Sequence, residues 1–309
     1  MRKCLLLLTS ALFLGGVAAS PADAALPTCE GPVKQKVLYS GQGVLESVVV
    51  GGGGTIYVSG QVDSETAGLW AYSKNGPAQD TITTAGPGPG GLAWDRKRLL
   101  WGSGNTIANG QTGDSDPKSK LLSVRVKTGK YTTVSDRLGM ANGVARAADG
   151  TIYATNDFGF KVDRVRNGNT RNGWTSVESG NGIVVGKNQK YVYIAQTFVT
   201  PSRIAKVSVE DPDKVWTFFS NPDGTNVILD GMARDARNNL YVAVLARGEI
   251  WKITPDKRAC VLASGLLSPS SVAISFARKG YKAGNLYAVG FGGEIVQVSG
   301  ATEATVPTS

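Results

Sequence analysis

Residues 142–155 read NGVARAADGTIYAT, in which a short apolar run, an Asp149-Gly150 pair and a β-branched run follow one another. Asp-Gly between two apolar runs is a strong signal for a β-hairpin turn, and Thr, Ile and Tyr favour strands. The pair Asn142-Gly143 stands at the start of this unit. The segment therefore predicts the first two strands of an antiparallel sheet.

The start of this unit occurs six times along the chain. Each copy has a polar or small residue, then Gly or Ser, then an apolar residue. The copies are Glu46-Ser47-Val48, Gly90-Gly91-Leu92, Asn142-Gly143-Val144, Asn181-Gly182-Ile183, Asp230-Gly231-Met232 and Ser270-Ser271-Val272. Their leading residues lie 44, 52, 39, 49 and 40 residues apart. Repeats of this length with strands and turns inside them are typical of propellers, so we predict an all-β, six-bladed β-propeller.

The two ends of the chain predict how the ring closes. Residues 36–40 resemble the outermost strands of the repeats, yet they precede the first copy, and the sixth copy ends after its third strand at residues 294–298. We therefore expect the N-terminal strand to complete the last blade, which removes exposed sheet edges. No amphipathic helix is expected in the mature chain.

The N-terminus predicts export. A basic start, an apolar run to Val17 and the small-x-small pattern ending at Ala24 are typical of a signal peptide. We expect residues 1–24 to be removed and residues 25–309 to form a single, monomeric propeller domain, secreted or periplasmic. No later apolar stretch is long enough to span a membrane.

The charge distribution argues against one class of partner, and the cysteine count predicts a disulfide. The net charge is +9, but Lys and Arg are scattered with no run of four, so we expect no nucleic-acid partner. Cys29 and Cys260 remain after cleavage, and an even count in an exported chain favours one disulfide. The alternative is two separate thiols.

The leading residues of the repeats predict a metal site. The first residue of each inner strand of a propeller can face the central channel, and four of these residues carry ligand oxygens: Glu46, Asn142, Asn181 and Asp230. Two carboxylates and two amides form a hard oxygen set that suits Ca²⁺, with Mg²⁺ or Mn²⁺ as the next choices. Two alternatives remain: the dipeptides are hairpin turns, or the polar groups line a water-filled channel.

These pieces together resemble a known family. The order and spacing of Asn181-Gly182-Ile183, Tyr191-Val192-Tyr193-Ile194-Ala195 and Asp230-Gly231-Met232 are similar to the six-bladed family of regucalcin (senescence marker protein), gluconolactonases and diisopropylfluorophosphatase, with paraoxonases as more distant relatives. That family binds a divalent cation through a Glu, two Asn and an Asp. The resemblance assigns these roles to Glu46, Asn142, Asn181 and Asp230, with Asn156 as an alternative to Asn142.

The resemblance implies a metal-dependent hydrolase of a small lactone or ester, with one departure. The chain contains no histidine, and Phe158 stands where a similar paraoxonase stretch has one. A histidine base is therefore excluded. Asp230 is the expected proton acceptor, with Asp157 as a second catalytic candidate. Alternatives are a non-catalytic binding or scaffold propeller, and a lyase or isomerase that uses the same pocket.

Overall fold

The computed structural model describes residues 25–74 and 79–308. These residues form six four-stranded antiparallel sheets arranged as the blades of a propeller, so the predicted fold is confirmed. The predicted signal peptide, residues 1–24, lies outside the described residues. Within the described ranges, no helix is long and apolar enough to cross a membrane.

Each blade is built from four strands paired in order from the channel outward. Blade 1 contains β2 (Leu45–Val50), β3 (Thr55–Asp63), β4 (Thr66–Ser73) and β5 (Asp80–Ala85). Blade 2 contains β6 (Pro89–Asp95), β7 (Arg98–Ser103), β8 (Ser119–Val124) and β9 (Tyr131–Leu138). Blade 3 contains β10 (Val144–Arg146), β11 (Ile152–Ala154), β12 (Lys161–Arg166) and β13 (Asn169–Ser176).

The remaining blades follow the same plan. Blade 4 contains β14 (Gly180–Val185), β15 (Tyr191–Gln196), β16 (Arg203–Ser208) and β17 (Val215–Ser220). Blade 5 contains β18 (Leu229–Arg234), β19 (Leu240–Val244), β20 (Glu249–Ile253) and β21 (Ala259–Ala263). Blade 6 contains β22 (Pro269–Ile274), β23 (Leu286–Gly290), β24 (Ile295–Ser299) and β1 (Lys34–Tyr39).

The N-terminal strand closes the ring, as predicted. Strand β1 pairs antiparallel with β24, in a register that places Lys34 opposite Ser299 and Val37 opposite Val296. The inner strand β22 of blade 6 also lies against the inner strand β2 of blade 1. First and last repeats are thus joined by hydrogen bonds in the sheet and by packing beside the channel.

One short helix, which the sequence analysis did not predict, lies among the strands. Helix α1 (Ile107–Thr112) lies in the connection between β7 and β8, and the Oγ1 of Thr106 caps it by accepting a hydrogen bond from the backbone N of Asn109 at 3.2 Å. At six residues it is too short to show an amphipathic period. A 3-10 turn at Leu245–Arg247 is the other helical segment in the described ranges.

The hydrophobic core is divided among the interfaces between blades. Six clusters of buried apolar side chains occupy these interfaces, one for each pair of neighbouring blades. Trp101, Trp174 and Trp251 are almost fully buried within three of them. Burial of such large side chains between blades is the main stabilising contribution expected for this architecture.

Neighbouring inner strands approach each other closely, and this explains why the second residue of most repeats is glycine. A Cβ atom added to Gly143 would lie 2.2 Å from the backbone oxygen of Asn181, and one added to Gly182 would lie 2.3 Å from the backbone oxygen of Asp230. The second residue of one copy therefore touches the leading residue of the next. A side chain there would force the strands apart.

The segments at both ends of the domain are fastened to blade 5. The predicted disulfide is present between Cys29 and Cys260, with Cα atoms 5.0 Å apart, and the backbone N of Cys29 donates to Val261 O at 2.9 Å. On the C-terminal side, the buried Lys252 ammonium donates to Ala304 O at 2.6 Å. The disulfide is consistent with an extracellular or periplasmic protein.

Removal of the disulfide should lower stability. The bond joins residues 231 positions apart, so its loss increases the conformational entropy of the unfolded chain. We expect the Cys29→Ser/Cys260→Ser double variant to lose roughly 2–5 kcal/mol of unfolding free energy, measured by urea denaturation. The wild type unfolded with a reductant present is the control and should match the variant. An unchanged midpoint would contradict the stabilising role.

The close contact between inner strands is tested by Gly182→Ala. The added methyl group meets a backbone oxygen that cannot move independently, so the unfolding free energy should fall by about 1–3 kcal/mol. Gly52→Ala is the matched control, because nothing lies within 4 Å of the Cβ it would add. Equal stability of the two variants would show that the strands can separate without cost.

Candidate metal centre

A cavity of about 380 Å³ runs along the central channel and is bordered by the inner strands of all six blades. All four predicted ligands line it: Glu46, Asn142, Asn181 and Asp230. They come from blades 1, 3, 4 and 5. We call the side of the disc at which the inner strands begin the upper face, and these residues stand at that end of their strands. The second strands of the blades run in the opposite direction and end there.

The connections after the second strands orient the two predicted amide ligands. The Nδ2 of Asn181 donates to Thr197 Oγ1 at 3.0 Å, and that hydroxyl donates onward to Leu229 O. The hydroxyl of Thr155 donates to the backbone oxygen of Asn181 at 2.6 Å, and the backbone N of Asn142 donates to Thr155 O at 3.1 Å. Since Nδ2 of Asn181 is engaged, its Oδ1 is the atom left for a ligand.

The structure separates the two candidates in blade 3. Asn156 uses both ends of its amide: Nδ2 donates to Gly110 O at 2.8 Å, and Oδ1 accepts from the backbone N of Phe158 at 3.1 Å. This side chain therefore fastens blade 3 to helix α1. Asn142 lines the cavity and Asn156 does not, which favours Asn142 as the donor.

Asn105, which the sequence analysis did not single out, contacts the predicted ligand Glu46, although it is not itself among the residues that line the cavity. It follows β7, and its Nδ2 donates to Glu46 Oε1 at 3.2 Å and to Pro89 O at 2.8 Å. The available signal was a polar residue shortly after the second strand of blade 2, as in blades 3 and 4. Whether this side chain contacts Glu46 depends on the conformation of residues 104–118, and no local sequence pattern determines that conformation.

Three carboxyl groups that are largely removed from bulk water give the site its electrostatic character. Burial and the neighbouring Asp157 raise the pKa of Glu46 from 4.5 to about 8, although a hydrogen bond from Asn105 opposes the shift. Burial raises the pKa of Asp157 to about 7, against a hydrogen bond from Asn142. The pKa of Asp230 lies well above its ordinary value because of burial, then Glu46 and Asp157, while Asn181 opposes the shift.

Glu46 is partly exposed, whereas Asp157 and Asp230 are buried. Because Glu46 borders the cavity, its exposed surface belongs to the channel, and the carboxyl is still largely removed from bulk water. Its raised pKa follows from this position. Asp157 is not among the residues that line the cavity. It lies beside the ring, and its charge raises the pKa values of Glu46 and Asp230.

The donor groups fit a divalent cation. Within residues 25–74 and 79–308, no Lys or Arg forms an ion pair with Glu46, Asp157 or Asp230. Buried carboxylates without a countercharge are costly. In addition, the buried Oδ1 atoms of Asp157 and Asn105 have no hydrogen-bond partner. A cation that takes oxygen ligands would supply the missing countercharge and would give unpaired oxygens a partner.

The site depends on amides as well as carboxylates. In the described ranges, no three Asp, Glu, Cys or His side chains converge closely enough to hold a metal ion by themselves. Asn142 and Asn181 are therefore needed for a complete donor set. Such a set is hard and contains neither thiolate nor imidazole, so it favours Ca²⁺ over Zn²⁺ or Cu²⁺.

Aromatic side chains stand beside the ring on the upper face. Phe158 follows Asp157 directly, and its ring centroid lies 5.3 Å from that of Phe198. The backbone N of Phe198 donates to Ser179 Oγ, and Ser179 donates to the backbone oxygen of Asp157. The aromatic pair is therefore held in place by the same connection that positions Asp157.

Comparison with known proteins supports the fold. No protein-family model matches the chain, and no curated protein matches its sequence. A gluconolactonase from Xanthomonas campestris has a similar structure, with a TM-score of 0.70 and 15% identity over 92% of this chain and 98% of the other. Regucalcin from Agrobacterium tumefaciens, a calcium-binding protein, gives a TM-score of 0.66 with 15% identity over 90% and 95%.

A third solved structure shows that this architecture also serves other chemistry. Virginiamycin B lyase from Staphylococcus aureus gives a TM-score of 0.57 with 10% identity over 87% of this chain and 99% of the other. Identities this low establish architecture and not activity. The chain therefore has the six-bladed propeller fold that its structural neighbours, gluconolactonase and regucalcin, share.

Proposed function

We propose that this chain is an exported hydrolase that uses a divalent cation, with Ca²⁺ the best match, to open a small lactone or cleave an ester. The observation that carries the proposal is the ring of Glu46, Asn142, Asn181 and Asp230 around one cavity, in which no Lys or Arg of the described residues forms an ion pair with either carboxyl group. The gluconolactonase and regucalcin neighbours support this choice.

The residues of the ring hold the cation and leave part of the cavity for substrate. Glu46, Asn142, Asn181 and Asp230 would hold the cation, and the chemistry it would supply there is that of a Lewis acid toward a carbonyl oxygen. Asn181 is locked by Thr197, so its oxygen is positioned in advance. Preorganised donors of this kind contribute to catalysis because they need no rearrangement during the reaction.

Proton transfer falls to a carboxylate, since the chain contains no histidine. Attack of water on the carbonyl carbon releases one proton, and the departing alkoxide takes up one, which yields a hydroxy acid from a lactone. Asp230 belongs to the ring, whereas Asp157 lies beside it and has an unpaired Oδ1. Asp157 is the carboxylate that would remain free of the cation, and Asp230 is the one that borders the cavity, so both are candidates for the proton acceptor.

A lyase or an isomerase acting on the same pocket is the second candidate, because virginiamycin B lyase has the same architecture. The products distinguish the two reactions. A hydrolase consumes one water for each substrate, which ¹⁸O incorporation from labelled water detects by mass spectrometry. A lyase or isomerase incorporates none.

Activity should require both the cation and the ring. With gluconolactone, an acyl-homoserine lactone and an aryl ester as substrates, we expect turnover in Ca²⁺ and its loss after chelation. Glu46→Gln and Asp230→Asn should each lower kcat/KM by roughly 100-fold or more, as expected when a donor that stabilises the transition state is lost. Asp136→Asn, on the exposed outer strand of blade 2, is the matched control. Full activity in both ring variants would refute the site.

The metal-free protein should become less stable as the pH rises. The folded-state pKa values of Glu46 and Asp157, about 8 and about 7, exceed their ordinary values of 4.5 and 3.8. The unfolded chain therefore binds fewer protons between about pH 4 and pH 8, so stability falls across that window. In excess chelator, Tm should be lower at pH 8 than at pH 5, and Ca²⁺ at pH 8 should restore it.

Asp230→Asn provides the control for this pH dependence. Removal of one carboxylate relieves the repulsion within the cluster, so the variant in chelator should show a smaller loss of Tm between pH 5 and pH 8. The variant should also gain less from Ca²⁺. Identical pH profiles of wild type and variant would show that these carboxyl groups do not repel one another in the folded state.

A further inference from the structure

Blade 2 leaves a gap in the ring of oxygen donors. Its leading residue is Gly90, and a Cβ atom there would lie 2.3 Å from the backbone oxygen of Ala141. The next residue, Gly91, is equally confined, since its Cβ would lie 2.7 Å from the backbone oxygen of Asn142. A side chain at either of these two positions would therefore displace blade 3, so blade 2 offers no donor at the start of its inner strand.

Asn105 reaches into the same sector from the connection that follows β7. Its backbone N donates to Gly88 O at 3.0 Å, and its Nδ2 donates to Pro89 O at 2.8 Å. Both acceptors belong to residues directly before Gly90. The side chain is therefore attached to the start of the blade 2 inner strand, at the level of the other leading residues.

The Asn105 amide contacts Glu46 through its nitrogen, while its oxygen remains without a partner. Nδ2 donates to Glu46 Oε1 at 3.2 Å, and Oδ1 is bonded to the same carbon as Nδ2. This Oδ1 is buried and has no hydrogen-bond partner. An unpaired buried acceptor next to a carboxylate costs free energy, and a cation held by Glu46 would satisfy both oxygens.

We propose that Asn105 supplies a fifth protein oxygen to the cation site, through Oδ1, in the sector that Gly90 leaves empty. This inference rests on the proposed function, because it assumes that the ring binds a cation. Five protein oxygens with water completing the shell suit the six to eight ligands of Ca²⁺. Mg²⁺ retains most of its water and gains less from the additional donor.

Two substitutions at Asn105 distinguish a ligand from a residue that only holds Glu46 in place. Asn105→Ala removes both the oxygen and the donor. Asn105→Asp keeps an oxygen for the cation but loses the Nδ2 donor to Glu46. A ligand role predicts weak Ca²⁺ binding in the first variant and retained binding in the second, whereas a positioning role predicts equal losses.

The measurement is Ca²⁺ and Mg²⁺ affinity by competition with a chromophoric chelator, alongside Tm with and without Ca²⁺. We expect Asn105→Ala to weaken Ca²⁺ binding by about 10-fold or more, on the scale seen when groups around a metal site are removed. The loss for Mg²⁺ should be smaller. Asn105→Asp should bind Ca²⁺ within about threefold of the wild type, by the attraction of an added carboxylate.

Asn221→Ala is the matched control. Asn221 is a buried asparagine whose Oδ1 is also unpaired, but its Nδ2 donates to Asp223 and Thr225 within its own loop. Its removal should lower Tm without changing Ca²⁺ affinity.

Eu³⁺ luminescence lifetimes in H₂O and D₂O provide a second measurement, since Asn105→Ala should add about one bound water if the lost oxygen was a ligand.

Each outcome is decisive. Unchanged Ca²⁺ affinity in Asn105→Ala, or equal losses in the Ala and Asp variants, would overturn the proposal while the proposed function stands. Absence of Ca²⁺ binding in the wild type would overturn the proposed function itself. If Asn105→Ala does not fold, the Ca²⁺ affinity of Asn105→Asp decides, because a ligand role predicts retained binding in that variant and a positioning role predicts a loss.

Discussion

The close packing of successive inner strands is the constraint on which this molecule depends. At Gly143 and Gly182, the neighbouring strand comes so near that a Cβ atom would lie 2.2 Å and 2.3 Å from a backbone oxygen. The leading residue before each glycine is therefore held at a fixed distance from its counterpart in the next blade. Because successive residues of a strand face opposite ways, packing that uses the glycine leaves the preceding side chain available to the channel.

This arrangement places three carboxyl groups together, and no Lys or Arg of the described residues forms an ion pair with them. Each of the three carboxyl groups has one side-chain amide that counteracts the rise of its pKa. Asn105 acts on Glu46, Asn142 acts on Asp157 and Asn181 acts on Asp230. Amide dipoles offset only part of the cost of burying charge. A bound cation would offset the rest of this cost, so cation binding and the stability of the folded ring are linked.

The fold could be predicted from the sequence because it is repeated, whereas the site could be predicted only where it follows the repeat. Blade number, the closing strand β1 and the Cys29–Cys260 disulfide were all predicted and are present. Helix α1 and Asn105 were missed, since both lie in a connection of blade 2 that no other blade shares. Their positions depend on tertiary contacts, such as the hydrogen bond between Asn156 and Gly110, that leave no periodic signal.

Because the chain contains no histidine, the proposed hydrolysis requires a carboxylate as its proton acceptor. A carboxylate that binds a cation becomes more acidic and so a weaker base, which makes the ring members Glu46 and Asp230 poor proton acceptors while the ion is bound. Asp157 lies outside the ring, keeps an unpaired oxygen and is buried beside Phe158. In the proposed reaction, Asp157 would therefore remain the more basic carboxylate, whereas Asp230 borders the cavity where the attacking water would stand.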